Sequence, residues 1–335
     1  MRTLLRRVLT LFGVVLYHAG LARVVIWLNR RTPKVLLYHA CEPIESDFIR
    51  GLGSNTTPHA FAGQLDFLRK RYQVIPLALL EDGPIPDRAV VITFDDGYRS
   101  VYEAAYPLLA ERGMPATVYL VTAVVDNPVL VWVNALNWLM HRHPEICAPI
   151  AHRHLRIPIP FRTAREHVLH AQAHYHAPSI EAALAEMWRE SGMDPTAFAA
   201  EAGLYLTSAQ IHELMAKGWS FGSHTAHHPN LRCIDGPQRR TELETALEFI
   251  ADVGGRPSLA YPFGEFDADT RRLAVALGHR TVMQVGGVNR PLQLTAVARV
   301  PVTATSKAAF FAEMEIVTPL LAWAKRLTER TQSPR

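Results

Sequence analysis

Residues 91–98 read VITFDDGY: an apolar, strand-like run that passes without a break into two adjacent carboxylates and a glycine. Successive side chains of a strand point to opposite faces. Val91, Thr93 and Asp95 therefore share one direction, and Val90, Ile92 and Phe94 the other. Gly97 then allows a sharp turn, so Asp95 and Asp96 can reach one cavity in different roles. Two carboxylates this close stay ionised together only with a cation or strong donors between them. The constraint on the fold is direct. This strand must end at a buried mouth where such a partner sits.

A distant segment, GSHTAHHPNL at 222–231, offers that partner's other ligands. His224 and His228 stand four apart, the spacing that puts two side chains on one face of a helical turn. One Asp with two His makes a three-ligand site with positions left for water and substrate, which is how catalytic zinc is held. The same donors also suit iron(II) and other first-row metals. A lone Asp-Asp-Gly is usually a solvated turn, and in a chain with 16 His an H-x-x-x-H arises easily by chance. The weight lies in the pair, each half following an apolar run.

These segments resemble the polysaccharide deacetylases with NodB homology, a carbohydrate esterase family. Its T-F-D-D-G motif stands as Thr93-Phe94-Asp95-Asp96-Gly97, and its H-[ST]-x-x-H-P motif as His224 to Pro229. The aromatic-Pro-aromatic-Gly loop is similar to Tyr261-Pro262-Phe263-Gly264. VLLYHA at 35–40, LTSAQIHELMAKGWSFGSHT at 206–225 and the closing GGVNRP and ARVPV stretches add to the likeness, which covers roughly 34–303. The resemblance implies a distorted (β/α)7-like α/β barrel, with its chemistry at the C-terminal ends of the strands. It implies Asp95 as general base and Asp96, His224 and His228 as ligands of a divalent metal, Zn2+ by preference. The 261–264 loop would supply a backbone donor to an oxyanion. The implied reaction is hydrolysis of N-acetyl groups on a glycan. An O-deacetylase or another amide hydrolase on the same scaffold, or a glycan-binding protein with a dead site, are the alternatives.

Two positions depart from the family pattern. An Arg that braces the catalytic Asp in many members is replaced here by Ala260, and Arg299 is the candidate to reach Asp95 from another strand. No Leu-x-His closes the domain after the ARVPV stretch, since the last histidine is His279. His39, after the first strand, is the candidate general acid.

Charge is unevenly spread. The chain carries +4, yet residues 1–34 hold seven cations and no acid, which leaves the remainder at −3. That distribution argues against a nucleic-acid footprint on the folded domain. VLTLFGVVLY at 8–17 and VVIWL at 24–28 are apolar between those charges. Arg23 breaks any clean span of the roughly 20 residues a crossing helix needs. Residues 1–33 read as a basic, apolar segment lying on a membrane surface, which favours the cell envelope. A cleaved signal and a helix packed on the domain are the other readings. Three scattered cysteines form no C-x-x-C pair, and Cys233 reads as a packing residue.

Strands are expected at 34–39, 74–76, 89–94, 116–121, 219–222, 258–260, 280–284 and 297–302, with helices between them, as in parallel βα units. Thr57-Pro58 opens one helix, with Phe61, Leu65 and Leu68 on its apolar face, and Asp267 caps another that runs to Gly278. Residues 124–205 interrupt the rhythm as a helical insertion with helices near 129–142, 162–174 and 179–192. They read as structural padding, or as a glycan wall with Trp132 or Trp138 as stacking surfaces. The deacetylase domain is expected over 34–305, followed by a C-terminal helix and tail over 306–335.

Overall fold

In the computed structural model, which describes residues 2–157 and 163–324, helices surround eight short strands. The strands are β1 (Lys34–Tyr38), β2 (Gln73–Val74), β3 (Ala89–Phe94), β4 (Thr117–Leu120), β5 (Ser220–Ser223), β6 (Ser258–Ala260), β7 (Thr281–Val285) and β8 (Val297–Pro301). They pair in the order β1-β8-β7-β6-β5-β4-β3, and β1 pairs with β3 to close the ring. Every pairing is parallel. β2 lies outside this seven-stranded barrel. It borrows the edge of β3 at Ala89 and Val90, before β4 takes that edge over at Thr93. The strand expected at 74–76 is thus cut short, because Pro76 has no N–H for the ladder and instead starts the helix Leu77–Asp82.

Both faces of β3 are buried, which is why its run is apolar apart from Thr93, whose hydroxyl donates to Leu36 O at 2.7 Å. The predicted alternation still sorts its side chains. Val91 points into the barrel with Val35, Tyr119, Ala260, Met283 and Val297. Val90, Ile92 and Phe94 face the surrounding helices. Gly222 of β5 leaves room for the Tyr119 ring, which a Cβ there would meet at 2.7 Å. Outside the barrel, Thr57 caps the helix Pro58–Arg71, which buries Phe61, Leu65 and Leu68 as expected. Each such side chain contributes about 1.5–3 kcal/mol over its exposed state.

Among the described residues the insertion holds five helices: Trp132–Arg142, Pro144–Leu155, Ala164–Ala173, Ala177–Glu190 and Pro195–Ala202. Trp138 belongs to its interior. The ring is half-buried and lies 4.4 Å from Phe198 and 5.9 Å from Trp188, so much of it is spent on packing within the insertion.

Helices Arg2–His18 and Ala22–Leu28 meet at a 112° bend, and among the described residues no single helix is long and apolar enough to cross a membrane. One face of this segment is packed. A Cβ on Gly13 would come within 2.9 Å of Ala312 backbone, and Tyr17 packs against Phe67 and Phe311. Buried Glu315 accepts from Asn29 at 2.6 Å and from Tyr72 at 2.8 Å, and pairs with Lys34 at 3.3 Å. The opposite face is bare. The C-terminal helix is described to 324, so the tail expected after it lies outside the described residues. Cys233 is exposed, against its reading as a packing residue, while Cys41 and Cys147 are buried.

Candidate active site

β3 delivers both carboxylates at its C-terminal end. The Asp95 N–H still donates to Tyr38 O at 2.9 Å, so Asp95 keeps the inward direction of Val91 and Thr93. Asp96 (φ 71°) and Gly97 (φ 75°) then adopt left-handed backbone and turn the chain across the mouth. A Cβ on Gly97 would lie 2.8 Å from the Leu120 side chain, which closes this position to other residues.

Asp95 is 2 % exposed and Arg299 only 1 %. Arg299 reaches across from β8 and donates from Nη1 to Oδ1 at 2.6 Å and from Nη2 to Oδ2 at 2.7 Å. Its guanidinium stands 5.5 Å from the Tyr119 ring centroid. Burial by itself would raise the Asp95 pKa. The charge of Arg299, with smaller contributions from His224, the Arg299 hydrogen bonds and His39, outweighs it and holds the carboxyl at about 2. Ala260, at the place of the missing family Arg, is an inward residue of the barrel.

Asp96, His224 and His228 are all buried and offer one ligand atom each within 4.8 Å of one another. Asp96 Oδ1 lies 3.4 Å from His224 Nε2 and 3.5 Å from His228 Nε2, and it has no hydrogen-bond partner. A buried, unpaired carboxylate oxygen is costly unless a cation meets it. His224 Nδ1 lies 2.7 Å from Ala260 O. A carbonyl only accepts, so that nitrogen carries the proton and Nε2 presents a bare lone pair. Burial lowers the His228 pKa to about 3 against the pull of Asp96, and the ring stays neutral, as a ligand must. These residues fit a divalent cation with three protein ligands.

The histidines do not share a helical turn. Residues 224–228 form a loop, with Thr225 at φ 68° and His228 at φ 60°. Pro229 disfavours the α region for the residue before it. Side chains take the local N–H groups instead: Ser223 Oγ accepts from Thr225 at 3.1 Å, and Thr225 Oγ1 from His228 at 3.0 Å. Asp96, Thr225, His228 and Phe263 all have positive φ. Such backbone costs on the order of 1–3 kcal/mol per residue and gathers at functional sites.

Two braces of this loop were not foreseen. Glu242, on the helix Gly236–Asp252, accepts the N–H groups of Ala226 and His227 at 3.1 and 2.9 Å. Trp132 of the insertion donates its indole N–H to His228 O at 3.0 Å. Buried at 7 % exposure, Trp132 supports the site from behind and is no open stacking surface.

The 261–264 loop reaches the site through Phe263, whose ring packs edge-on against His228 at 4.5 Å. Tyr261 points away, stacked on Phe266 at 4.4 Å, and Pro262 is buried. The Gly264 N–H is spent on Tyr261 O at 2.9 Å, while that of Tyr261 makes only a long 3.4 Å bond to Met283 O. His39 is half-buried just after β1, close enough for its charge to act on Asp95 and His228.

Comparison with known proteins agrees with this geometry. The sequence model of the family described as polysaccharide deacetylase matches residues 82–154 and 166–282. YxkH of Bacillus subtilis (strain 168), grouped by name with the polysaccharide deacetylases, is 22% identical over 303 residues, 86% of this chain and 79% of its own. The poly-beta-1,6-N-acetyl-D-glucosamine N-deacetylase of Escherichia coli (strain K12) is 37% identical over 75 residues, 21% of this chain and 11% of its own. Among solved structures, the Streptococcus pyogenes deacetylase PplD matches with a TM-score of 0.56 at 18% identity, covering 85% of this chain and 98% of its own. IcaB from Ammonifex degensii matches with a TM-score of 0.54 at 20% identity, over 84% and 97%. At such identities the structural matches speak for the fold.

Proposed function

This chain belongs to the polysaccharide deacetylase family, and on that premise we propose that it removes N-acetyl groups from N-acetylhexosamine units of a polysaccharide, releasing acetate and a free amine. The observation that carries the reading is an ionised Asp95, clamped by Arg299, beside the buried set Asp96, His224 and His228. The short stretch shared with a named N-deacetylase supports the N-acetyl preference.

Asp96, His224 and His228 would hold the divalent cation, with Zn2+ the preferred ion. When bound, such an ion lowers the pKa of water from 15.7 to about 7 and polarises a carbonyl. Asp95, a weak base at its pKa of about 2, takes the proton of the attacking water. Arg299 keeps it anionic and fixes its orientation. The N–H groups of Tyr261 and Phe263 are the ones the loop has left for the developing oxyanion. One such donor is worth about 2.7–4 kcal/mol. His39, at the barrel's mouth, returns a proton to the leaving amine.

The helices Arg2–His18 and Ala22–Leu28 would seat the enzyme on a membrane surface in the cell envelope. Their exposed Leu4, Val8, Leu11, Phe12 and Val15 support this.

The test is acetate release from N-acetylated and from O-acetylated oligosaccharides, by protein stripped with a chelator and by the same protein reloaded with Zn2+. Metal-dependent release from the N-acetylated substrate alone is expected. Release from the O-acetylated one alone would replace the reading with an O-deacetylase, and metal-independent release would remove the metal from it.

A further inference from the structure

The parallel strands put the site at one end of the barrel, and the other end carries a feature the chemistry does not use. There a cleft of about 530 Å³ opens between the helix Ala22–Leu28, the end of the helix Pro58–Arg71 and the turn before β3. Arg23, Arg30, Lys70, Arg71 and Arg88 line it against a single carboxylate, Asp87. Asp87 is taken by Arg30 at 3.1 Å. Among the described residues no ion pair joins Arg23, Lys70, Arg71 or Arg88 to an acid. Four unpaired cations round one cleft repel each other, and an anion relieves that repulsion.

What stands beside the cleft identifies the anion. Trp27 forms one wall, is 58% exposed and lies under the Arg30 guanidinium at 4.4 Å. Its neighbours Val24 and Leu28 are 53% and 61% exposed. The preceding helix bares Leu4, Val8, Leu11, Phe12 and Val15, a spacing that places them on one helical face. Water disfavours an apolar strip of this extent. An apolar face, a tryptophan at its border and unpaired cations next to it match the layers of a bilayer: acyl chains, interface and phosphate.

We propose that this cleft is a headgroup site for an anionic phospholipid, seated while the two N-terminal helices lie in the interface. The proposal rests on the membrane reading given above and adds a lipid preference to it. Arg23, Lys70 and Arg88 supply the charge; Trp27 sets the depth.

Sedimentation of the full chain with phosphatidylcholine vesicles, with and without phosphatidylglycerol, tests it. The wild type should bind the phosphatidylglycerol vesicles about tenfold or more tightly. The variant Arg23→Gln/Lys70→Gln/Arg88→Gln should lose that preference and keep its binding to phosphatidylcholine. Leu11→Glu/Phe12→Glu should lose both. Lys70→Gln alone, at an exposed position, carries the test if the triple variant unfolds, and should lose part of the preference. A cleft variant with undiminished preference would overturn the headgroup site and leave the membrane reading standing. Wild-type protein that binds neither vesicle, and self-associates instead, overturns both. Release from phosphatidylglycerol vesicles by millimolar glycerol phosphate would assign the cleft to a soluble phosphate.

Discussion

Asp95 and His228 stand in the same buried mouth on loops that follow strands of one barrel, yet they are held by opposite means. Asp95 is gripped by a full charge, the guanidinium of Arg299. The histidine loop is held by the Ala260 carbonyl, the Trp132 indole and the Glu242 carboxylate, which binds backbone N–H groups. The contrast follows from what each group must be. A general base has to remain an anion in a dry place, and a cation that also donates two hydrogen bonds keeps it so. A ligand imidazole has to remain neutral and correctly turned: the Ala260 carbonyl at its far nitrogen does this for His224, and burial keeps His228 neutral. A cation in that second place would repel the metal.

His228→Ala should have the largest effect, abolishing both metal binding and acetate release. Folding should suffer little, because the ring sits on a loop. Metal analysis of the purified variant decides it, and full occupancy would remove His228 from the ligand set. Asp95→Asn should come next, with turnover down about 10²–10⁴-fold while metal content stays at the wild-type level. If the metal leaves with the activity, Asp95 is itself a ligand and the division between the two loops collapses.

Arg299→Met should lower turnover and stability with the metal retained. A buried carboxylate stripped of its partner costs about 3–5 kcal/mol. The sign with pH is fixed. Arg299 depresses the Asp95 pKa, so its loss raises that pKa, and the acidic limb of the rate profile moves to higher pH. The stability lost in the variant should be fully present above about pH 4, the unfolded carboxylate value, and should vanish as pH falls through about 2. An unshifted limb would mean that Arg299 only packs. The smallest effect belongs to Trp132→Phe, which keeps the ring and leaves His228 O without its donor. Metal affinity should fall about tenfold, with near-normal turnover at saturating metal. Affinity equal to wild type would show the indole bond to be incidental.

The strands and the ligand candidates Asp96, His224 and His228 were legible because they lie in local patterns: a two-residue alternation, a glycine turn, an X-His-Pro. The barrel that brings them together was implied by the family resemblance those patterns carry. The helical turn assigned to the histidines failed at a local signal too, since Pro229 already argues against α backbone at His228. Arg299 could be reached only by asking what would replace Ala260, as its partner lies 204 positions away. Trp132 could not be assigned its contact at all. Its bond to His228 spans 96 residues and depends on how the insertion folds back. The overlooked insertion helices did announce themselves. Pro144 and Pro195 sit in first turns, and Asp194 caps the second of them. Pro149, inside the first, hides the signal. At the N-terminus, composition showed an apolar segment but not which side of it is bare. That depends on Gly13 meeting Ala312, almost three hundred residues away.

β3 is also a measure of height. Arg88 stands at its foot, in the cationic cleft, and Asp95 at its head. The six residues between them span about 20 Å, somewhat less along the axis because barrel strands tilt. Groups that far apart can be altered independently of each other. A substitution in the cationic cleft should therefore leave acetate release from a soluble oligosaccharide unchanged, and one at the head of the strand should leave vesicle binding unchanged.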